Sequence, residues 1–296
     1  IVGQKHLVES LLIGLLSDGH VLLEGVPGLA KTLAIKTLAS LIDAKYSRIQ
    51  FTPDLLPADV IGTMVYSQKD ESFKVQRGPI FANFVLADEI NRATPRTQSS
   101  LLEAMEERQI SVDGTTTRLE EPFMVMATQN PLESYGTFPL PEAQIDRFFM
   151  KLKLGYMTRE EELSVICRPS TGKIVDELEC VVSLEEIAKL KEMIPQITVS
   201  DDVAGYMMDI VTQTRKESHF ALGVSTRGAI ALYKASQVTA AFAGRDYVIP
   251  EDVRYIAPFV LGHRVTVNGT VRPGEIEKYF QEMLASIPSP LEAIRR

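Results

Sequence analysis

The chain has 296 residues, of which 45% are hydrophobic and 24% are charged, and its formal net charge is −8. This length allows two domains with separate cores, and no apolar run approaches the roughly 18–20 residues that a membrane helix needs. The acidic balance argues against broad, non-specific binding to nucleic acid. The four histidines and two cysteines show no metal-ligand spacing, and we expect both thiols to stay reduced.

The first residues, Ile1-Val2-Gly3-Gln4, contain neither a basic segment nor the apolar core of a signal peptide. The sequence therefore predicts a cytoplasmic globular protein. Because the chain does not begin with methionine, we also expect a short N-terminal segment to precede Ile1.

Residues 1–155 alternate between helical and strand patterns. Helical apolar spacing over 7–16 precedes five segments that predict strands, at 21–23, 46–51, 83–89, 123–128 and 148–152, most of them apolar runs. Continuous apolar strands separated by helices are typical of a parallel sheet covered on both faces. The sequence therefore predicts an α/β domain whose ligand binds at the carboxyl ends of the strands.

The loop after the first predicted strand has a phosphate-binding pattern. It reads Gly25-Val26-Pro27-Gly28-Leu29-Ala30-Lys31-Thr32 and opens a predicted helix over 32–41, which is the layout of a P-loop. Backbone N–H groups and the helix N-terminus can surround phosphate oxygens. Lys31 would place a charge near the β- and γ-phosphates, and the Thr32 hydroxyl would ligate Mg²⁺. Ala30 replaces the usual glycine, which is compatible if this residue already lies in the first helical turn.

Polar residues follow the third and fourth predicted strands. In a P-loop nucleotidase, Asp88 would hold Mg²⁺ and Glu89 would polarise the attacking water. The alternative is an acidic cap for the next helix, since both residue types suit that place. Asn130 could donate to the γ-phosphate or orient the water, and the alternative is a turn residue before proline.

Two arginines are further candidates for the site. Arg147 precedes the fifth predicted strand, although a surface arginine is usually only a solvated charge. Arg227 begins a helix of the second half of the chain, where the helix dipole disfavours a cation. An arginine set against that dipole suggests an external anionic partner.

From Thr158 onward the patterns are helical. A capping box at 158–161 opens a helix that ends before Pro169, and 169–181 resembles a linker. Further helices are predicted after Ser183 and Ser200, over 226–242, and from Pro250 to about 261. The sequence therefore predicts a connecting segment at 156–181 and a smaller, all-helical domain at 182–296.

Five segments, in this order along the chain, resemble the MoxR family of AAA+ ATPases: GVPGLAKT, VLADEINRATPRTQSSLLEAMEE, MATQNP, FPLPEAQIDRF and VSTRGAIAL. The resemblance covers nearly all of the chain, and Ala30 in the P-loop is typical of this family. It implies an α/β nucleotide-binding domain followed by a helical lid, which together hydrolyse ATP with Mg²⁺.

The resemblance also implies a role for each candidate residue. Val2, Gly3 and Gln4 resemble the segment that packs near the adenine. Arg92 and Arg96 are alternatives to Arg147, because they are close to the same face. The implied roles are Walker A for Lys31 and Thr32, Walker B for Asp88 and Glu89, sensor 1 for Asn130, arginine finger towards the neighbouring subunit for Arg147, and sensor 2 for Arg227.

Two segments resemble elements that point towards the pore of hexameric AAA+ rings. Residues 52–82 are too long for a single helix and resemble the insertion in helix 2. Residues 106–123 resemble the hairpin before sensor 1, with Asp113-Gly114 as its turn. We expect these elements to carry the nucleotide state to a substrate.

The resemblance implies a homo-oligomer, expected to be a hexameric ring, that remodels or matures client proteins or inserts cofactors or metals. Its implied partner is often a protein with a von Willebrand factor A domain. A DNA motor is the weaker hypothesis, because 109–123 contains Arg118 as its only base against three acidic residues. A magnesium-chelatase-like motor subunit and a non-hydrolysing nucleotide switch are further alternatives, and Glu89 and Asn130 argue against the switch.

Overall fold

In the computed structural model of this protein, the described residues are 3–25, 31–69, 71–112, 114–130, 136–167, 178–268 and 274–290. Val2, residues 26–30 of the predicted P-loop, Asp113 and most of the predicted linker lie outside these ranges. The chain divides into two units, which are described separately. The first comprises Ile1–Phe148 and Leu152–Ala188, and the second comprises Phe149–Lys151 and Lys189–Arg296.

The α/β part of the chain alternates helices and strands, as the sequence predicts. Its strands are β1 (Val21–Glu24), β2 (Tyr46–Gln50), β3 (Gly62–Ser67), β4 (Ser72–Arg77), β5 (Phe84–Asp88), β6 (Gln109–Val112), β7 (Thr115–Arg118), β8 (Met124–Gln129) and β9 (Met150–Lys153). Its helices are α1 (Lys5–Leu16), α2 (Lys31–Ile42), α3 (Pro57–Ile61), α4 (Pro95–Glu107), α5 (Glu142–Ile145) and α6 (Arg159–Ile166), with a 3₁₀ helix at Ile90–Arg92.

A five-stranded sheet forms the centre of this part, in the order β2-β5-β8-β1-β9. The pairs β2–β5, β5–β8 and β8–β1 are parallel, which confirms the predicted fold class. The central strands β5 and β8 are buried on both faces, whereas β2 lies at the edge and buries only Ile49. Because the strands of these pairs run in the same direction, the carboxyl ends of β2, β5 and β8 lie at the same edge of the sheet.

The fifth strand begins later than predicted. It starts at Met150, and Phe148 instead lies in the turn that follows α5. There the Phe148 N–H donates to the Ile145 carbonyl at 3.0 Å, and the Phe148 ring is fully buried. The same hydrophobicity that predicted a strand at this position therefore anchors a turn in the core.

One face of the sheet is covered by α3 and α4. The buried apolar residues on this side form one core that joins sheet and helices. It includes Leu22, Val85, Ala87, Val125 and Ala127 of the sheet, Val60 of α3, and Leu101, Leu102 and Met105 of α4. The 3₁₀ helix Ile90–Arg92 connects the end of β5 to the start of α4, and this shared core fixes α4 relative to the sheet.

Two antiparallel hairpins extend from the first unit. The predicted insertion, 52–82, contains α3 and the hairpin β3–β4, in which Tyr66 pairs with Phe73. The segment 106–123 contains the hairpin β6–β7, as its resemblance to the hairpin before sensor 1 suggests. Gly114 has a φ of 83°, the left-handed conformation that favours glycine in a tight turn.

The second unit is mainly helical. Beyond α6 the helices are α7 (Leu184–Met193), which begins in the first unit, α8 (Asp201–Lys216), α9 (Thr226–Phe242), α10 (Pro250–Leu261) and α11 (Glu275–Ser286), with a 3₁₀ helix at Ile194–Gln196. The predicted starts after Ser183 and Ser200 match the structure, because both hydroxyls accept backbone N–H bonds, at 3.2 and 3.3 Å. One pair of strands, β10 (Phe220–Leu222) and β11 (Thr266–Val267), was not predicted, since strands of two or three residues have no periodicity to detect.

Small residues on α9 bring it close to α10. Ala231, Ala235 and Ala240 are buried on α9, and Ile256 and Val260 are buried on α10.

Within the described part of the chain, no helix is both long enough and apolar enough to span a bilayer.

Candidate nucleotide-binding site

The carboxylates of Asp88 and Glu89 lie at the shared edge where the parallel strands end. The Thr128 hydroxyl, on β8, donates to Asp88 Oδ1 at 2.7 Å and accepts the Glu89 N–H at 2.8 Å. One hydroxyl therefore fixes both acidic residues relative to the neighbouring strand. Thr128 was missed by sequence reasoning, although it stands two residues before the predicted Asn130.

Two further missed residues come from the edge strand β2. Arg48 Nη2 donates to Asp88 Oδ2 at 2.5 Å and to Gln50 Oε1 at 3.0 Å. Gln50 Nε2 in turn donates to Glu89 Oε2 at 2.9 Å. Arg48 and Gln50 are two apart on a strand and so share a face, and this alternation of polar residues was the available signal.

Glu89 has an unusual backbone conformation. Its φ and ψ are 55° and 49°, in the left-handed region, which costs a residue with a side chain roughly 1–2 kcal/mol. Its side chain makes no capping bond to the following 3₁₀ helix. Instead its carboxylate accepts from Gln50 and from Arg92 Nη1, the latter at 3.0 Å. The alternative explanation of Glu89 as a helix cap is therefore not supported by its contacts.

Lys31 is the first residue of α2 and lies near the same carboxylates. Its ammonium donates to the Gly25 carbonyl at 2.6 Å, and the Gly25 N–H donates to Gln129 at the end of β8 at 3.2 Å. Burial lowers the pKa of Lys31, while the Asp88 and Glu89 carboxylates oppose that shift. The lysine charge is therefore within electrostatic reach of both acids.

The oxygen donors at this edge suit a magnesium ion. Mg²⁺ prefers carboxylate and hydroxyl oxygens, and Asp88 and the half-buried Thr32 supply one of each. Each carboxylate oxygen has two lone pairs, so the bonds from Thr128 and Arg48 leave Asp88 with acceptor capacity. The residues present therefore fit the implied cation.

The structure also shows the surroundings of three other predicted residues. Asn130 is buried directly after β8. Gln4 is buried at the start of α1, and Gly3, with a φ of 69°, lines a pocket that also contains Glu161. A side chain at Gly3 would come within 2.7 Å of Glu161 Cδ.

The candidate arginines have different surroundings. Arg92 pairs with Glu89 of its own chain, and Arg96 is exposed on the first turn of α4. Arg147 pairs instead with Glu106 at the end of α4, with Nε and Oε2 3.2 Å apart. Arg227 is exposed on the first turn of α9, in the second unit. Lys31, Asp88, Glu89 and Arg147 all belong to the first unit, but Arg147 pairs with Glu106 rather than with the two acids.

Gln98 connects the segments that follow the two acidic strands. Its Nε2 lies 3.2, 3.1 and 2.8 Å from the carbonyl oxygens of Ile90, Ala93 and Phe138. The Phe138 N–H also donates to the Asn91 carbonyl at 2.7 Å. This buried amide therefore holds the segment after Glu89 against the segment that precedes α5. Sequence reasoning did not single it out, because only the fold brings these carbonyls together.

A parallel sheet with a P-loop pattern and paired acids at its strand ends defines an AAA-type nucleotide-binding module. Residues 20–150 match the model of the "ATPase family associated with various cellular activities (AAA)", and residues 212–283 match the model of the AAA lid domain.

Similar proteins narrow this class. The chain is 46% identical to Chaperone MoxR1 of Mycobacterium tuberculosis over 98% of this chain and 79% of that protein. It is also 46% identical to the uncharacterized protein YeaC of Bacillus subtilis, over 99% of this chain and 92% of that one. A crystal structure from Cytophaga hutchinsonii, described provisionally as an ATPase, matches with a TM-score of 0.89 at 43% identity, covering 98% and 92% of the two chains. The chain therefore belongs to the MoxR family of AAA+ ATPases.

Proposed function

We propose that the protein hydrolyses ATP to ADP and phosphate with Mg²⁺ and uses the reaction to remodel client proteins. The observation that carries this proposal is the convergence at one sheet edge of the Lys31 ammonium, held by the Gly25 carbonyl beside β8, with the Asp88 and Glu89 carboxylates, held by Thr128 of β8. A cation beside two acids is the arrangement that a magnesium-bound triphosphate requires.

Each residue at this edge has a distinct task. Lys31 exchanges its bond to the Gly25 carbonyl for phosphate oxygens. Asp88 and Thr32 would hold the magnesium ion, which would neutralise charge on the β- and γ-phosphates. Glu89 accepts a hydrogen bond from the attacking water and so orients it. Asn130 supplies a neutral donor nearby.

The site is completed by a second subunit. Arg92, one rival for the role of arginine finger, is engaged with Glu89 of its own chain. Arg147 makes no contact with the Asp88–Glu89 pair in the described part of this subunit and is one-third exposed. We therefore assign Arg147 to the neighbour's γ-phosphate in a ring of identical subunits, expected to be a hexamer, and assign Arg227 to sensor 2.

The work done with ATP is the remodelling, maturation or metal loading of another protein. The naming of one 46% identical relative as a chaperone supports a protein client. A partner with a von Willebrand factor A domain is part of this proposal. A magnesium-chelatase-like motor is the second candidate, supported by a 24% identical homologue of such a subunit from Methanocaldococcus jannaschii. Tight, salt-sensitive binding of single-stranded DNA would instead favour a nucleic-acid motor.

The substitution Glu89→Gln tests the reaction. The variant keeps an acceptor for Gln50 and Arg92, so we expect ATP binding to persist. Hydrolysis should fall about 100-fold or more, because the carboxylate that activates water is lost. Phosphate release measures the rate and a fluorescent nucleotide measures binding. The matched control is Glu103→Gln, at an exposed position on α4, which should retain full turnover.

Equal turnover in Glu89→Gln and the parent would contradict the assigned chemistry. If the variant binds ATP without hydrolysing it, the same protein becomes a trap for the client. Cross-linking in the presence of ATP should then retain a partner that Lys31→Ala, which lacks the phosphate-binding charge, does not retain.

A further inference from the structure

Arg147 is held in place by its backbone. It follows the short helix α5, and its N–H donates to the Gln144 carbonyl at 3.2 Å. The next residue, Phe148, is fully buried in the core beside the sheet. The position of the Arg147 Cα is therefore fixed, whereas its long side chain would turn freely in solvent without a partner.

That partner is Glu106, and the geometry of the pair leaves most of the guanidinium available. The pair joins Arg147 Nε to Glu106 Oε2 at 3.2 Å. An arginine has five N–H donors, of which four are on the two terminal Nη atoms. Among the described residues no contact engages those Nη atoms. They form the fork that recognises phosphate in a bidentate manner.

The position of Glu106 is linked to the candidate site of the same subunit. Glu106 lies in the last turn of α4, which runs over Pro95–Glu107. The first turn of this helix is fixed by Thr97, whose hydroxyl donates to the Leu55 carbonyl at 2.7 Å, and by the buried amide of Gln98. A single thirteen-residue helix therefore connects the segment after Glu89 with the partner of Arg147.

We propose that Glu106 is a positioning residue, which holds the Arg147 guanidinium with its terminal nitrogens presented to the nucleotide of the neighbouring subunit. This inference rests on the proposed role of Arg147 in trans. The carboxylate neutralises part of the arginine charge before assembly and restricts the rotamers of Arg147. The side chain therefore loses less conformational entropy when it binds the γ-phosphate of the neighbour. Glu106 itself does not touch the nucleotide.

A double-mutant cycle on the full-length ring tests this role. We expect Glu106→Gln to lower kcat about three- to tenfold with little change in KM for ATP, and Glu106→Ala to lower it further, because glutamine keeps an acceptor for Nε. In an Arg147→Lys background, which lacks Nε, the same Glu106 substitutions should change kcat by less than about twofold. The matched control is Glu107→Gln, the adjacent exposed residue of α4.

Mixed rings provide the readout that a purely structural role of Glu106 would not change. Adding Lys31→Ala subunits, which have intact fingers, to Glu106→Ala subunits should raise turnover per intact site. Adding subunits with both Lys31→Ala and Arg147→Ala should not.

Equal losses from Glu106→Ala in both Arg147 backgrounds would overturn the proposal. If Arg147→Ala loses turnover but Glu106→Ala does not, only the role of Glu106 fails. If Arg147→Ala keeps full turnover, the trans assignment of Arg147 fails as well.

Discussion

The two units contain the same kind of ion pair in opposite settings. In the first unit Arg48 and Asp88 are 2.5 Å apart, with side chains that are 49% and 19% exposed. In the second unit Arg245 and Asp252 are also 2.5 Å apart, but they are only 20% and 7% exposed. The distance is equal, and the surroundings differ.

The difference in surroundings indicates a difference in role. Asp252 accepts hydrogen bonds from both terminal nitrogens of Arg245. It also accepts one, at 2.9 Å, from the N–H of Ile249, the residue before α10, so its acceptor sites serve the fold. Asp88 shares its contacts with Thr128 and with an arginine that is half in water. Removing one partner of a closed, largely buried pair leaves an uncompensated charge and destabilises the fold, whereas a partly solvated pair contributes little to stability and can exchange partners.

The largest effect on stability is expected at the buried pair. We predict that Arg245→Ala lowers the free energy of unfolding by about 2–3 kcal/mol, because it leaves the Asp252 carboxylate buried and without its bidentate partner. Urea unfolding at neutral pH measures this loss. Lys234→Ala, at an exposed position on α9 of the same unit, is the matched control and should change stability by less than about 0.5 kcal/mol.

This outcome would also separate the two ion pairs. A second unit destabilised by Arg245→Ala should regain stability in Arg245→Ala, Asp252→Asn, because the amide removes the unpaired charge and keeps an acceptor for the Ile249 N–H. Equal stability of Arg245→Ala and the parent would mean that the second unit's pair is as dispensable to the fold as a surface pair.

A second prediction concerns His20, a buried group of the first unit that lies at the amino-terminal ends of β1 and β8, opposite the ends that carry the acids. His20 Nδ1 accepts the Val125 N–H at 2.9 Å, so its proton is on Nε2, which lies 3.1 Å from the Met105 carbonyl. Burial, and then the Arg108 charge, lower the pKa of His20 from 6.5 to about 3. In the unfolded chain the imidazole binds a proton below pH 6.5, but in the folded chain it stays neutral until about pH 3.

Because only the unfolded state binds this proton in that window, acid favours unfolding. We expect the stability due to His20 to be fully present above pH 6.5 and to fall by about 2 kcal/mol between pH 7 and pH 5. Urea midpoints at the two pH values measure the change. His20→Gln removes the titrating group and should show a smaller difference between the two pH values. An identical pH dependence in variant and parent would show that His20 is not the cause.

Much of the fold was predictable because the deciding signals are local. All five sheet strands were predicted, four of them from apolar runs, and serine side chains before Leu184 and Asp201 predicted the starts of α7 and α8. The pair β10–β11 was missed because its strands are too short for a pattern. The start of β9 was misplaced because a buried phenylalanine serves a strand and an anchored turn equally well.

The candidate site was predictable only in part, for a similar reason. Lys31, Asp88 and Glu89 stand in motifs that follow strands, so their convergence follows from a parallel sheet. Arg48 is 40 residues from Asp88 in the chain, and only the β2–β5 register reveals that they touch. The contact between Arg147 and Glu106 likewise requires the packing of α4.

The smallest effect is expected at the solvated pair, where it should fall on turnover rather than on stability. We predict that Arg48→Met lowers kcat about tenfold, since Asp88 loses the donor that fixes one oxygen and Gln50 loses the donor to its Oε1. The loss of unfolding free energy should stay below about 1 kcal/mol, because half of the Arg48 side chain is in water. Phosphate release and urea unfolding on one preparation measure both quantities.

The ratio of these two effects decides whether the comparison between the units holds. Arg48→Lys is the informative control, because it keeps a positive charge near Asp88 but cannot bond Asp88 and Gln50 with one planar group. If geometry matters, Arg48→Lys resembles Arg48→Met in turnover. If charge alone matters, it resembles the parent. A variant that loses several kcal/mol of stability with unchanged kcat would place Arg48 beside Arg245 as a structural arginine, and the contrast between the two pairs would disappear.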